Sequence, residues 1–128
     1  MPSGRGATLV SPRVTHDALT ARVYFASQGA REVRSYDPVT HAFRVESMAP
    51  GNIGAAFCSD RAGHIYIGSQ ANPAQIWQYN AASGRWQDLP VIGAVVTGTT
   101  NCGVAEAGAL YVGASPGTQM YKLPLERL

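Results

Sequence analysis

Three short stretches, RVYFASQ at 22–28, HIYIGSQ at 64–70 and ALYVGAS at 109–115, share one pattern of apolar, tyrosine, apolar and small residues. In each, apolar side chains flank the tyrosine directly instead of alternating with polar ones. That is the pattern of a strand covered on both faces. Polar turns rich in Asp, Asn, Gly and Pro punctuate the chain, and no 3.6-residue apolar period persists for three turns. The pattern predicts strands throughout and no helix. They fall near 8–15, 22–27, 32–37 and 42–47, then 53–59, 64–69, 75–80 and 85–89, and finally 98–104, 109–114 and 118–123.

The strands recur as units. Tyr24 and Tyr66 stand 42 positions apart, and Tyr66 and Tyr111 stand 45 apart. A second landmark, Tyr36-Asp37-Pro38-Val39-Thr40-His41, returns as Tyr79-Asn80-Ala81-Ala82-Ser83-Gly84. An aromatic, Phe43 or Trp86, follows seven positions after each of these tyrosines. A third landmark, Ala62-Gly63 and Ala107-Gly108, precedes two of the tyrosine strands. A period of about 40–45 residues is that of four-stranded propeller blades. The expected fold is therefore all-β: a single domain over 1–128 forming a partial β-propeller of about three blades, with units near 8–47, 51–90 and 96–125. The third unit lacks an outer strand. Tyr24, Tyr66, Tyr111, Tyr36, Tyr79, Phe43 and Trp86 recur with the fold and are read as packing residues. Asp37 and Asn80 suit turns that fold back on the backbone. Gly84 suits a left-handed turn end, and His41 in the equivalent place would cost about 1 kcal/mol there.

Composition narrows the class without naming a task. The 128 residues are 45% apolar and 14% charged, with 14 glycines and 8 prolines, as in a turn-rich globular domain. No run of about 18 apolar residues marks a membrane span, and the first residues lack the continuous apolar stretch of a signal peptide. A soluble chain is the expectation, in a compartment the sequence does not specify. The net charge of +2 is mild and no run of Lys/Arg tracks phosphates, which argues against nucleic acid. Cys58 and Cys102 fall outside any zinc spacing, and they read as small buried residues on neighbouring strands; a bond between them would need Cα atoms within about 7 Å.

The Tyr79…Trp86 spacing followed by Leu89-Pro90, and its echo in Tyr36, Asp37, Thr40 and Phe43, resembles the second half of a kelch repeat. The resemblance is to kelch-like propeller repeats of bacterial type, without the paired glycines, since Ala26-Ser27, Gly68-Ser69 and Gly113-Ala114 stand in their place. It implies four-stranded blades around a central channel and no particular function.

Three blades do not close a ring, since propellers use about four to eight. Two end flanks would be left apolar and uncovered, so assembly is expected. The simplest form is a homo-oligomer, a dimer of six blades in which Met1–Val10 completes the partner's third blade. Excision from a longer propeller is the alternative.

Candidate chemistry is sparse. His16, His41 and His64 fall at different blade corners and read as surface or turn residues, and no metal site or cofactor is expected. Asp60 and Glu106 precede equivalent turns. Gln28, Gln70 and Asn72 share a blade corner and could hydrogen-bond a ligand, while Trp77 could stack on a sugar. These features favour a non-catalytic module that binds a protein or glycan through its corner loops. Two alternatives stand beside it: a propeller-type lyase or hydrolase with a polar site at the channel mouth, and a designed or excised fragment without a ligand.

Overall fold

The computed structural model describes residues 12–70, 75–89, 98–105, 109–115 and 120–124. Among the described residues eleven strands run in chain order: β1 (Pro12–Asp17), β2 (Arg22–Ser27), β3 (Glu32–Asp37), β4 (Ala42–Met48), β5 (Ile53–Ser59), β6 (His64–Ser69), β7 (Ile76–Asn80), β8 (Arg85–Asp88), β9 (Gly98–Ala105), β10 (Ala109–Ser115) and β11 (Met120–Pro124). They form three antiparallel meanders, β1 to β4, β5 to β8 and β9 to β11. The first strands of successive sheets pack together, β1 on β5 and β5 on β9, so they are the inner strands of adjoining blades. The fold is a partial propeller, and no helix occurs among the described residues.

Boundaries follow the sequence pattern closely except in β1. That strand is described from Pro12 and continues to Asp17, two residues beyond the expected end at 15. Residues 8–11 lie outside the described residues.

Register explains the repeated tyrosines. Tyr24 pairs with Thr15, Tyr66 with Cys58, and Tyr111 with Gly103, each opposite its own inner strand. Side chains alternate across a strand, so each tyrosine faces the following blade and its apolar neighbours face the preceding one. Between blades 1 and 2, Tyr24, Ala26 and Val33 meet Phe57, Ile65, Ile67, Trp77 and Tyr79. Between blades 2 and 3, Tyr66 and Cys58 meet Leu110 and Val112. Tyr111 is half-buried, with no further blade beyond it among the described residues.

Cys58 and Cys102 are joined by a disulfide with Cα atoms 5.7 Å apart. The sequence reading placed them on neighbouring strands and left their redox state open; the closeness of β5 and β9 is what brings the two sulfur atoms within reach.

Turn ends repeat too. Gly84 has φ +74° and His41 φ +63°; Gly63 has φ +94° and Ala21, its counterpart, φ +58°. Left-handed backbone strains any residue with a Cβ. Ala21→Gly should therefore raise stability by about 0.5–1 kcal/mol, read as a higher urea midpoint at unchanged slope. A lower midpoint would show that Ala21 is not strained.

Candidate functional site

The connections fall at two ends of the blades. One end gathers the β2–β3 and β4–β5 connections and the described parts of β6–β7. Here Gly29 N–H donates to the Ile53 carbonyl (2.7 Å), Ile53 N–H to Ala30 (2.7 Å), and Gln70 N–H to Asn52 (3.0 Å). These bonds lace blade 1 to blade 2 and bring Gln28 and Gln70 to one corner. The Gln70 amide nitrogen lies 3.7 Å from where a Cβ on Gly29 would stand. Arg13 donates to Gln28 Oε1 at 3.4 Å, while its Nε is buried with no partner among the described residues. Asn72 lies outside the described residues. Trp77 is elsewhere: it is buried between blades 1 and 2, edge-on to Trp86 at 6.4 Å, where no sugar ring reaches its face. Among the described residues this corner offers the Gln28 and Gln70 amides, the Arg13 and Arg31 guanidinium groups and the Ser27 and Ser69 hydroxyls.

The other end carries the tight β1–β2, β3–β4, β5–β6 and β7–β8 turns and most of the ionisable chemistry. Asp17, fully buried, bridges blades 1 and 2. Its carboxylate accepts from Ser59 Oγ (2.6 Å), Gly63 N–H (2.9 Å) and Thr20 N–H (2.9 Å). Burial alone would raise its pKa, but the Ser59, Thr20 and Gly63 bonds hold it below the usual carboxylate value.

Glu46 is a second bridge. Ser47 pairs with Val33 and Val45 with Arg34, leaving Glu46 as the extra residue of a bulge. Its side chain is only 3% exposed and accepts from Ser35 Oγ (2.6 Å), Arg44 Nε (2.8 Å) and, across the junction, the Tyr79 hydroxyl (2.9 Å). Burial pushes the carboxyl pKa up, and bonds from Ser35, Arg44 and Tyr79 together pull it below its ordinary value. Nearby, Trp86 Nε1 donates to Ser47 Oγ of blade 1 at 2.8 Å.

A third cluster is built differently. Asp60 opens the β5–β6 turn, its Oδ1 accepting from Ala62 N–H (2.7 Å) and His64 N–H (3.1 Å). Positive φ at Arg61 and Gly63 tightens the turn and returns His64 onto Asp60. Oδ2 then meets His64 Nδ1 at 2.7 Å and the Tyr66 hydroxyl at 3.3 Å. Gln78 Nε2 donates to that same hydroxyl at 3.0 Å. Burial first, and the Asp60 charge after it, push the Tyr66 phenol up to about 12 against the opposing Gln78 bond, so it stays protonated at neutral pH.

In a neutral imidazole, the Asp60 contact at Nδ1 favours the tautomer with its hydrogen on Nδ1 and its lone pair on Nε2. The His64 side chain is 31% exposed, so solvent reaches part of the ring. A carboxylate that orients an imidazole is the supporting half of a general-base site.

Sequence reading gave Asp60 to a turn and His64 to a strand start. Both hold, and what was missed is that the turn joins them. The Asp-Arg-Ala-Gly-His stretch carried that signal, since a turn ending in glycine returns residue 64 to residue 60. His16 and His41 do not join this pair: His41 is bonded to Tyr36 through Nδ1 at 2.8 Å. Among the described residues no three His, Cys, Asp or Glu side chains gather as metal ligands.

No family model and no curated protein sequence matches the chain. Among solved structures it is similar to a gluconolactonase from Xanthomonas campestris, with a TM-score of 0.69 and 21% identity over 93% of this chain. The chain spans 39% of the length of that protein. The likeness is one of fold, and it corrects the expectation of a non-catalytic binding module. The architecture behind that expectation is shared here with an enzyme.

Proposed function

We propose that this chain is part of a propeller hydrolase that cleaves an ester or lactone. The fold likeness to a gluconolactonase supports the reaction class. One observation carries the reading: Asp60 holds His64 by Nδ1 at 2.7 Å at the edge of the blade 2–blade 3 junction. Nε2 takes a proton from water as the water oxygen bonds to the carbonyl carbon. When the carbon–oxygen ester bond breaks, the imidazolium returns that proton to the departing alkoxide. Asp60 fixes the tautomer and stabilises the imidazolium, and Tyr66 and Gln78 hold Asp60 in turn. The kelch-like reading of the repeats draws its support from the ring pairs Tyr36–Phe43 and Tyr79–Trp86, with centroids 4.7 and 4.9 Å apart.

The test is hydrolysis of gluconolactone and of p-nitrophenyl acetate by the full chain. His64→Gln should lower kcat by about 10²–10⁴-fold, and Asp60→Asn by less, with unchanged circular dichroism. Wild-type chain that hydrolyses neither compound, or a His64→Gln variant with full activity, overturns the proposal.

A further inference from the structure

The described residues contain both halves of a blade junction, one on the outer flank of blade 1 and one on that of blade 3. Register makes the comparison residue by residue. Val14 pairs with Phe25 as Phe57 pairs with Ile67 and Cys102 with Val112. Phe57 is 8% exposed because blade 1 covers it, whereas Val14 is 61% exposed. Val45, on the same face, is exposed as well. At the other end of the chain, Gly103 pairs with Tyr111 as Cys58 pairs with Tyr66. Cys58 is buried, but Gly103 is exposed, and a Cβ built there meets nothing within 4 Å.

The outer part of the blade 1 flank asks for unusually little. Tyr79 and Trp86 use acceptors on the preceding blade's outer strand, Glu46 and Ser47. Their blade 1 counterparts need none, because the Tyr36 hydroxyl is bonded to His41 of its own blade and Phe43 has no N–H. Among the described residues blade 3 has three strands. The Met1–Val10 segment expected to complete the partner's third blade lies outside the described residues.

We infer that the blade 1 flank of one copy docks on the blade 3 flank of a second copy, so that two chains close a six-blade ring through two identical junctions. The docking repeats the two junctions already inside the chain. Six lies within the range of about four to eight blades that close, and a two-fold ring leaves neither flank bare.

The internal disulfide supplies the test. Cys58 and Cys102 bridge blades 2 and 3, and their counterparts across the proposed junction are Gly103 and Val14. Val14→Cys combined with Gly103→Cys should therefore cross-link two chains on mild oxidation. Mass spectrometry of the peptides should find residue 14 bonded to residue 103. In light scattering the wild-type chain should have twice the 13.5 kDa chain mass. Val14→Asp should weaken the pair at least about tenfold, since it buries a charge opposite an apolar flank. A single-chain mass for the wild type across micromolar concentrations overturns the inference, and so does a ladder of cross-linked chains longer than two.

Discussion

Asp17→Ala should lower the unfolding free energy by about 3–4 kcal/mol, a large share of the roughly 5–15 kcal/mol typical of a domain. Three donors converge on that carboxylate, two of them from the neighbouring blade. Hydrogen bonds to a charged group contribute about 1.5–3 kcal/mol each, though not additively. Removing the acceptor also strands Ser59 Oγ and the Gly63 N–H in a dry junction. Asp17→Asn should cost less, because its one carbonyl oxygen still serves Ser59 and Gly63.

The same residue sets an acid limit. The pKa values of Asp17 and Glu46 are lower in the folded chain than in the unfolded one. Their stabilisation is therefore complete above the ordinary carboxylate range and is lost as pH falls below about 4. Melting temperatures recorded from pH 7 to 3 should drop on the acid side for the wild type and drop less for Asp17→Ala. A wild-type melting temperature that stays flat to pH 3, or a loss under 1 kcal/mol at pH 7, would show that neither carboxylate holds the junction.

The disulfide accounts for the second large effect. Cys58 and Cys102 are 44 residues apart, and closing a loop of that size restricts the unfolded chain by about 4 kcal/mol in the chain-entropy treatment. Cys58→Ala with Cys102→Ala should lower stability by about 2–4 kcal/mol, and a reductant should destabilise the wild type to a similar extent while leaving the double variant untouched. The effect should fall on the blade 2–blade 3 junction, where Cys102 Sγ also lies 3.7 Å from the Tyr66 carbonyl. Equal melting with and without reductant would show that the thiols are not bonded.

How far the sequence carries can be followed through particular residues. Tyr24, Tyr66 and Tyr111 declare their register because burial on both faces forces the same residue types at each inner hairpin. Gly84 and His41 declare their turns because backbone sign limits what fits there. The carboxylate bridges are not legible in this way. Glu46 enters the junction only because a bulge adds one residue to β4, and no local pattern distinguishes it from a surface glutamate between Val45 and Ser47. Asp17 and Ser59 are 42 positions apart, and their meeting depends on how two blades stack. Trp77 misled for a related reason. It is followed by the polar Gln78, as on a half-exposed strand, yet its own face is covered by blade 1.

The bulge at Glu46 also bears on repeat engineering. A consensus unit made by averaging the three blades would delete the extra β4 residue, since β7 and β8 pair without one. Every Tyr79-like phenol in such an array would then face a neighbour lacking its acceptor. Identical copies would thus stack less well than the dissimilar originals, and the irregular position is the one a designer should preserve.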